Sequence, residues 1–204
     1  MVPAIILAAG RSSRMGTSKA LLRVQPGGRT LVGTLAATLL AGGASEALVV
    51  GRPDDALLIE EASQLDRVRF VPNADAHLGQ LSSVVTGVNA ADRPGVAAVI
   101  VAPVDAPFVK SDTIAALLGA WHESGAPIVR ATYHGEHGHP VLFARALFDE
   151  LRAADPNVGA KAVVRKYAGE TLNLEVDDAA VLHDIDRPDD YARAIASVPP
   201  APAP

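Results

Sequence analysis

Short apolar runs alternate with segments of helical periodicity along most of this chain, and that alternation restricts the folds open to it. Apart from Arg69 and Arg130, the runs are unbroken rather than alternating in polarity, which indicates strands covered on both faces, as in a parallel sheet. They lie at residues 3–7, 47–50, 68–71, 96–101 and 128–132. The sequence therefore favours an α/β fold.

Helical periodicity fills most of the intervals between these runs. Thr30, Asp54 and Ser111 are suitable N-caps, and Gly42 and Gly125 stand where helices would stop. The helical segments lie at residues 30–41, 54–65, 81–91, 111–123 and 188–197. We predict a doubly wound, mostly parallel α/β sheet flanked by helices, a Rossmann-like arrangement whose ligands bind at the carboxyl ends of the strands.

Length and composition set further limits. The 204 residues suit one domain, which we expect over residues 1–198, with a disordered Pro/Ala tail at 199–204. No apolar run approaches the ~18 residues that span a bilayer, and the opening MVPAIILAAG lacks the basic leader of a signal peptide. The absence of cysteine excludes thiolate chemistry and fits a reducing compartment, so we expect a cytoplasmic protein.

Charge is distributed unevenly along the chain, whose formal net charge is −5. Residues 1–45 contain five basic residues and no acid, whereas the remainder holds 13 basic against 23 acidic residues. The acidic balance argues against nucleic-acid and membrane partners. Three of the N-terminal cations, Arg11, Arg14 and Lys19, fall within nine residues of one another.

Those three cations lie in a strand–loop–helix pattern, AIILAAGRSSRMGTSKALL. Gly10 permits close backbone approach, Ser12 offers a hydroxyl donor, and loop amides ahead of a helix can cradle anionic oxygens. A P-loop is excluded because two residues separate Gly16 from Lys19, and a dinucleotide fingerprint because the residue two after Gly10 is serine. We predict a polyphosphate site; the alternative is a structural loop of small residues.

A carboxylate follows the fourth apolar run, where Asp105 stands between Pro103 and Pro107. The strand direction places it on the same sheet edge as the basic loop. It would pair with the loop's cations, cap the turn, or hold Mg²⁺, which takes one or two carboxylates plus substrate phosphates. A later run, HDIDRPDDY, adds Asp184 and Asp186, whereas its last two aspartates suit a helix N-terminus.

The basic loop resembles the signature LAAG-x-S-x-R-M-G-x-x-K of the nucleotidyltransferases that load molybdopterin. The resemblance implies a nucleoside triphosphate substrate and Mg²⁺, with Mn²⁺ as the alternative ion. Members reading LAAG tend to use CTP and GTP users tend to carry LAGG, so the loop indicates CTP. By the same resemblance, Arg14, Lys19 and Asp105 are catalytic. The nucleotide-binding residues of the loop would be Leu7, Ala8, Ala9, Gly10, Arg11, Ser12 and Lys19.

Two further segments extend the resemblance on the nucleotide side. The turn at Asp105 is similar to the family's P-x-D-x-P metal motif, although an alanine follows where cytidylyl members often have glutamine. Asp186 sits where related transferases place a second metal ligand. A G-x-x-S-S-L-like segment implies that Gly79, Ser82 and Ser83 bind nucleotide.

The stretch GHPVLF resembles cytidylyl-type members, in which it lies near the acceptor, and so assigns His139 and Pro140 to acceptor binding. The neighbouring histidines do not complete a zinc site, which needs about four ligands. Lys161 and Arg165 would either contact an anionic acceptor or be solvated.

The resemblance implies transfer of CMP from CTP to molybdenum-bearing molybdopterin, with release of pyrophosphate and formation of the cytosine dinucleotide cofactor. The alternatives are a GTP-using guanylyltransferase, a nucleotidyltransferase for another phosphorylated acceptor, and a non-catalytic nucleotide-binding delivery protein. The expected partners are CTP and molybdopterin-type small molecules, with transient contact to a molybdoenzyme or its chaperone.

Overall fold

The computed structural model describes residues 1–10, 18–25, 27–185 and 187–196, and within them it forms one seven-stranded sheet. The strands follow the chain as β1 Ala4–Leu7, β2 Ala47–Gly51, β3 Val68–Pro72, β4 Ala98–Pro103, β5 Ile128–Tyr133, β6 Glu136–Ala144 and β7 Thr171–Glu175. Their spatial order is β3-β2-β1-β4-β6-β5-β7. The five predicted strands are all present, with ends shifted by one or two residues.

The sheet is mostly parallel, as predicted. Strands β3, β2, β1 and β4 are parallel neighbours, and β5 pairs in parallel with β7. Strand β6 runs antiparallel between β4 and β5. The sequence reasoning missed β6 and β7. In β6, Gly138 and Pro140 interrupt the apolar run and weaken its strand signal.

Seven α-helices flank the sheet in the described residues: α1 Leu31–Ala41, α2 Ala56–Ser63, α3 Gln80–Ala91, α4 Ser111–Ser124, α5 Phe148–Arg152, α6 Lys161–Lys166 and α7 Pro188–Ala196. The Thr30 hydroxyl caps α1 as predicted, accepting from Gly33 N at 3.0 Å. Two predicted caps are wrong by one residue: Asp55 rather than Asp54 caps α2, and Lys110 precedes α4, which begins at Ser111.

Two apolar layers hold the helices against the sheet. One contains buried residues of α1, α2 and α4, and the other contains buried residues of α3, α5 and α6. Helix α3 lies very close to β1, because a Cβ added to Gly87 would come within 2.4 Å of the Ile5 side chain. Strand β1 is buried throughout and lies between β2 and β4 in the sheet.

Strand β3 departs from the expectation of strands covered on both faces. It is an edge strand, and of its five residues only Val71 is buried. Among the described residues, no helix is both long enough and apolar enough to cross a membrane.

Candidate active site

A cleft of about 1040 Å³ opens at the carboxyl ends of β3, β2, β1 and β4. The carboxyl ends of these four strands lie at the same edge of the sheet because the strands are parallel to one another. Chain order reverses between β1 and β4, which is where open α/β sheets bind ligands. The lining residues include Leu7, Ala8, Ala9, Gly10, Lys19, Arg52, Asp54, Asn73, Ala76, His77, Gly79, Gln80, Ser83, Val104 and Asp105.

The end of β1 forms the floor of this cleft. Ala8 N donates to Val50 O at 2.9 Å, and Val104 N donates to Leu7 O at 3.2 Å, so the chain is tied to both neighbouring strands here. Leu7, Ala8 and Ala9 are buried, whereas Gly10 is exposed and a Cβ at that position would meet no atom of the described residues within 4 Å. These small residues leave room for a ligand above the strand end.

Three predicted residues of the basic loop, Arg11, Ser12 and Arg14, lie outside the described residues, and so does Asp186. The described chain resumes at Ser18. The Ser18 hydroxyl donates to Asp55 Oδ2 at 3.3 Å, which fastens the end of the loop to the start of α2.

Lys19 and Asp105 meet across the cleft. Lys19 opens a short 3₁₀ turn, Lys19–Leu21, and its Nζ lies 3.7 Å from Asp105 Oδ2. The two side chains are 13% and 30% exposed. The turn that carries Asp105 is fixed from the far end of the chain, because Ile185 N donates to Asp105 O at 2.8 Å. The structure thus brings together the predicted cation and the predicted carboxylate.

The second carboxylate oxygen of Asp105 is suited to a cation. Oδ1 is buried and has no hydrogen-bond partner among the residues that the structure describes. No cluster of three or more metal-ligating side chains occurs in that part of the chain. Mg²⁺ does not need one, since it usually takes one or two protein carboxylates and completes its shell with phosphates and water. Asp105 therefore fits an ion that arrives with a phosphorylated substrate.

The opposite end of the cleft is formed by the start of α3. Gly79 precedes the helix at φ 101° and ψ −176°, a backbone conformation that is essentially confined to glycine. Ser83 is 4% exposed and lines the cleft, whereas Ser82 donates its hydroxyl to Gly79 O at 2.8 Å. Two of the three predicted residues of this segment, Gly79 and Ser83, face the cleft directly.

Sequence reasoning missed Arg52 and Asn73. Arg52 follows β2 and donates from Nε and one Nη to the two Oδ atoms of Asp54, at 2.9 and 2.6 Å. Hydrogen bonding to Asp54 raises the pKa of Arg52. Both residues directly follow a strand of the parallel sheet. Ligands bind at the carboxyl ends of such strands, so this position in the sequence is the signal that could have identified them.

His139 lies on β6, with Nδ1 buried and without a hydrogen-bond partner among the described atoms. Burial lowers the pKa of His139, the nearby charge of Asp105 opposes that effect, and the charge of Lys161 adds to it. The His139–Pro140 peptide bond is cis, and Pro140 is buried. Neither residue is among those that line the cleft, so the structure places the predicted acceptor residues to one side of it.

The chain is similar to known proteins over most of its length. The sequence model of the family described as the MobA-like NTP transferase domain matches residues 4–172. The purine catabolism protein PucB of Bacillus subtilis is 28% identical over 92% of both chains. The molybdenum cofactor guanylyltransferase of Rhizobium meliloti is 31% identical over 97% of this chain and 92% of its own. The molybdenum cofactor cytidylyltransferase of Escherichia coli is 26% identical over 95% of both.

Solved structures show the same fold. The crystal structure of Rv0371c from Mycobacterium tuberculosis superposes with a TM-score of 0.80 at 26% identity, covering 97% of this chain and 99% of that one. The same protein was also solved in complex with manganese, and that structure superposes with a TM-score of 0.75 over the same shares of the two chains.

Proposed function

The chain belongs to the MobA-like NTP transferase family and is therefore a nucleotidyltransferase, and from this premise we propose that it transfers CMP from CTP to molybdenum-bearing molybdopterin. Pyrophosphate would be released and the cytosine dinucleotide form of the cofactor produced. The observation that carries the proposal is the approach of Lys19 to Asp105 at the ends of β1 and β4, together with a carboxylate oxygen that has no hydrogen-bond partner among the described residues.

The reaction requires two polyanions to meet. An oxygen of the acceptor's phosphate attacks the α-phosphorus of CTP, and the bond from that phosphorus to the oxygen bridging to the β-phosphate breaks. A phosphate monoester is already a nucleophile near neutral pH, so no general base is needed. The protein's tasks are to align the two substrates and to neutralise charge. Lys19, with Arg11 and Arg14, would hold the triphosphate and stabilise the departing pyrophosphate.

Asp105 would hold the metal ion, with Asp186 as a second ligand. Mg²⁺, or Mn²⁺ in its place, would neutralise charge on the reacting phosphates. Asp105 Oδ1 supports this assignment, because it is buried and no described residue hydrogen-bonds to it. A relative of the same fold has been crystallised with manganese.

The choice of CTP rests on two segments of this sequence. Ala8 and Ala9 precede Gly10 in the LAAG form of the loop, and the GHPVLF stretch around His139 is of the cytidylyl type. Relatives named for guanylyl transfer and for cytidylyl transfer are similarly distant from this chain. GTP is therefore the alternative donor that the experiment must include.

The acceptor would approach from the side of β6. His139 is close enough to Asp105 and to Lys161 for both charges to act on its pKa. This arrangement supports the assignment of His139 and Pro140 to the acceptor side.

The experiment measures pyrophosphate release by the purified protein with CTP or GTP, each with and without molybdenum-loaded molybdopterin. We expect release only when CTP, Mg²⁺ and the acceptor are all present. Release with GTP instead would move the assignment to guanylyl transfer. Nucleotide binding without any release would support a delivery protein and overturn the enzymatic proposal. An Asp105→Asn variant, which retains the side-chain shape, is the inactive control.

A further inference from the structure

We propose that Asn73 is a positioning residue that fixes the start of α3 against the end of β3 and thereby sets the affinity of the cleft for the nucleoside part of its nucleotide. The inference rests on the proposed function only in taking the ligand to be a nucleoside triphosphate. It adds a residue that the motifs of the sequence did not single out.

Asn73 is the centre of a buried hydrogen-bond group at the sheet edge. It is 2% exposed, and its backbone N donates to Gly51 O at 2.8 Å, which continues the pairing of β3 with β2. Its side-chain Nδ2 donates to Ser82 Oγ at 2.9 Å and to Ser83 Oγ at 3.0 Å. Its Oδ1 accepts from Asp75 N at 2.9 Å. Both amide hydrogens are therefore used within the protein.

This group determines where α3 begins. Ser82, which accepts from Asn73, also donates to Gly79 O and so includes Gly79 in the hydrogen-bond group. Gly79 has no side chain of its own to cap the helix. Residues 74–79 connect Asn73 to α3 and include only a short 3₁₀ turn, Ala76–Leu78. Without Asn73, no other side chain described in the structure bonds both serines to the end of β3. The segment facing the cleft would then lose its fixed position.

The end of the cleft next to Asn73 suits the uncharged part of a nucleotide. The described charged lining residues, Lys19, Arg52, Asp54 and Asp105, all follow or face β2, β1 and β4. The lining residues contributed by 73–83 are uncharged apart from a titratable His77. A triphosphate would lie toward the charged end, which leaves the nucleoside beside the start of α3.

Distance along the sheet edge supports the same orientation. Asn73 follows β3 and Asp105 follows β4, and three strand spacings of about 4.8 Å separate those strands, or about 14 Å. An extended nucleoside triphosphate can span such a separation, with its phosphates near Asp105 and its base near Gly79 and Ser83. Asn73 would then act on the nucleotide through the segment that it holds, since its own amide hydrogens are occupied.

The test compares nucleotide binding by the full chain and its variants, measured by calorimetry with CTP and GTP in Mg²⁺ and without acceptor. We expect Asn73→Ala to raise the Kd of the preferred nucleotide about tenfold, equal to about 1.4 kcal/mol. Its KM for that nucleotide should rise similarly while kcat changes by less than about threefold, because the reacting phosphates lie at the other end. Ser83→Ala, which deletes one acceptor atom, should give a smaller change in the same direction.

Thr113→Val is the matched control. Thr113 is 4% exposed and donates its hydroxyl to Asp178 Oδ2 at 2.7 Å, in a buried contact that does not line the cleft. This variant should lower the melting temperature without changing the Kd. An unchanged Kd in both Asn73→Ala and Ser83→Ala, or equal changes in Thr113→Val, would overturn the positioning role.

The two proposals fail in different ways. Wild-type protein that binds CTP without transferring CMP would contradict the proposed function, while the Kd comparison would still decide the role of Asn73. Wild-type protein that binds neither nucleotide would overturn both. If Asn73→Ala does not fold, the Ser83→Ala comparison alone decides, and an unchanged Kd in that variant counts against the proposal.

Discussion

Lys19 Nζ lies 3.7 Å from Asp105 Oδ2, so one ion pair joins the end of the basic loop to the turn after β4. The two residues come from opposite sides of the point where strand order reverses. Lys19 can bind the triphosphate, and Asp105 can bind its metal ion through Oδ1, which no described residue hydrogen-bonds. Substituting Asp105 and Lys19 one at a time separates the roles of the two residues.

Asp105→Asn should reduce pyrophosphate release by about a hundredfold or more, because the metal's charge stabilisation is worth several kcal/mol. The fold should persist, since a partly exposed ion pair contributes at most about 1 kcal/mol. Turnover and urea denaturation measured on the same preparation check both statements. Near-normal turnover would remove Asp105 from the metal site.

Lys19→Met should weaken CTP binding, with a Kd raised about tenfold, because a charge-assisted contact to phosphate is lost. Lys166→Met is the matched control: Lys166 donates to Glu150 at 2.7 and 2.8 Å and does not line the cleft. Equal effects of the two substitutions would show that Lys19 acts only through general charge.

Gly79→Ala should destabilise the protein by about 1–3 kcal/mol, because φ 101° with ψ −176° is strained for any residue with a Cβ. The added Cβ would meet no atom within 4 Å, so the cost comes from the backbone and not from a clash. Gly119→Ala, in the middle of α4 and equally open, should stabilise by about 0.5–1 kcal/mol. Chemical denaturation of the pair measures the difference, and a stabilised Gly79→Ala would contradict the expectation.

Glu175→Gln should make the protein's stability less sensitive to acid. The Thr132 hydroxyl donates to Glu175 Oε2 at 2.9 Å, and this bond, with bonds from the backbone N–H of Gly135 and His134, lowers the carboxyl pKa below its ordinary 4.5. A lowered folded-state pKa contributes stability above about pH 4.5 that is lost as the pH falls through the lower value. Urea midpoints measured between about pH 5 and pH 3 should therefore fall less in the variant than in wild type. Parallel decreases would show that other carboxylates carry the effect.

Much of the fold could be predicted from local pattern. Unbroken apolar runs locate β1, β2 and β4, and glycine and threonine mark the ends of α1, because hydrophobic periodicity and capping depend on neighbours within a few residues. The same signals missed β6, in which Gly138 and Pro140 obscure a strand that is held on both sides by pairing. They also predicted Asp54 as the N-cap of α2, whereas Asp55 is the cap. Two adjacent aspartates cannot be distinguished from local pattern until the start of the helix is known.

The residue pattern alone establishes the chemistry available at the site: a cationic loop after β1 and a carboxylate after β4, both on the edge where parallel strands end. Which groups meet there depends on the three-dimensional fold. The pairing of Lys19 with Asp105, the hold of Asn73 on two serines of α3, and the position of Arg52 beside the cleft depend on the order of strands across the sheet. Strand order is set by packing between segments that are distant in the chain, so the local sequence pattern does not indicate it.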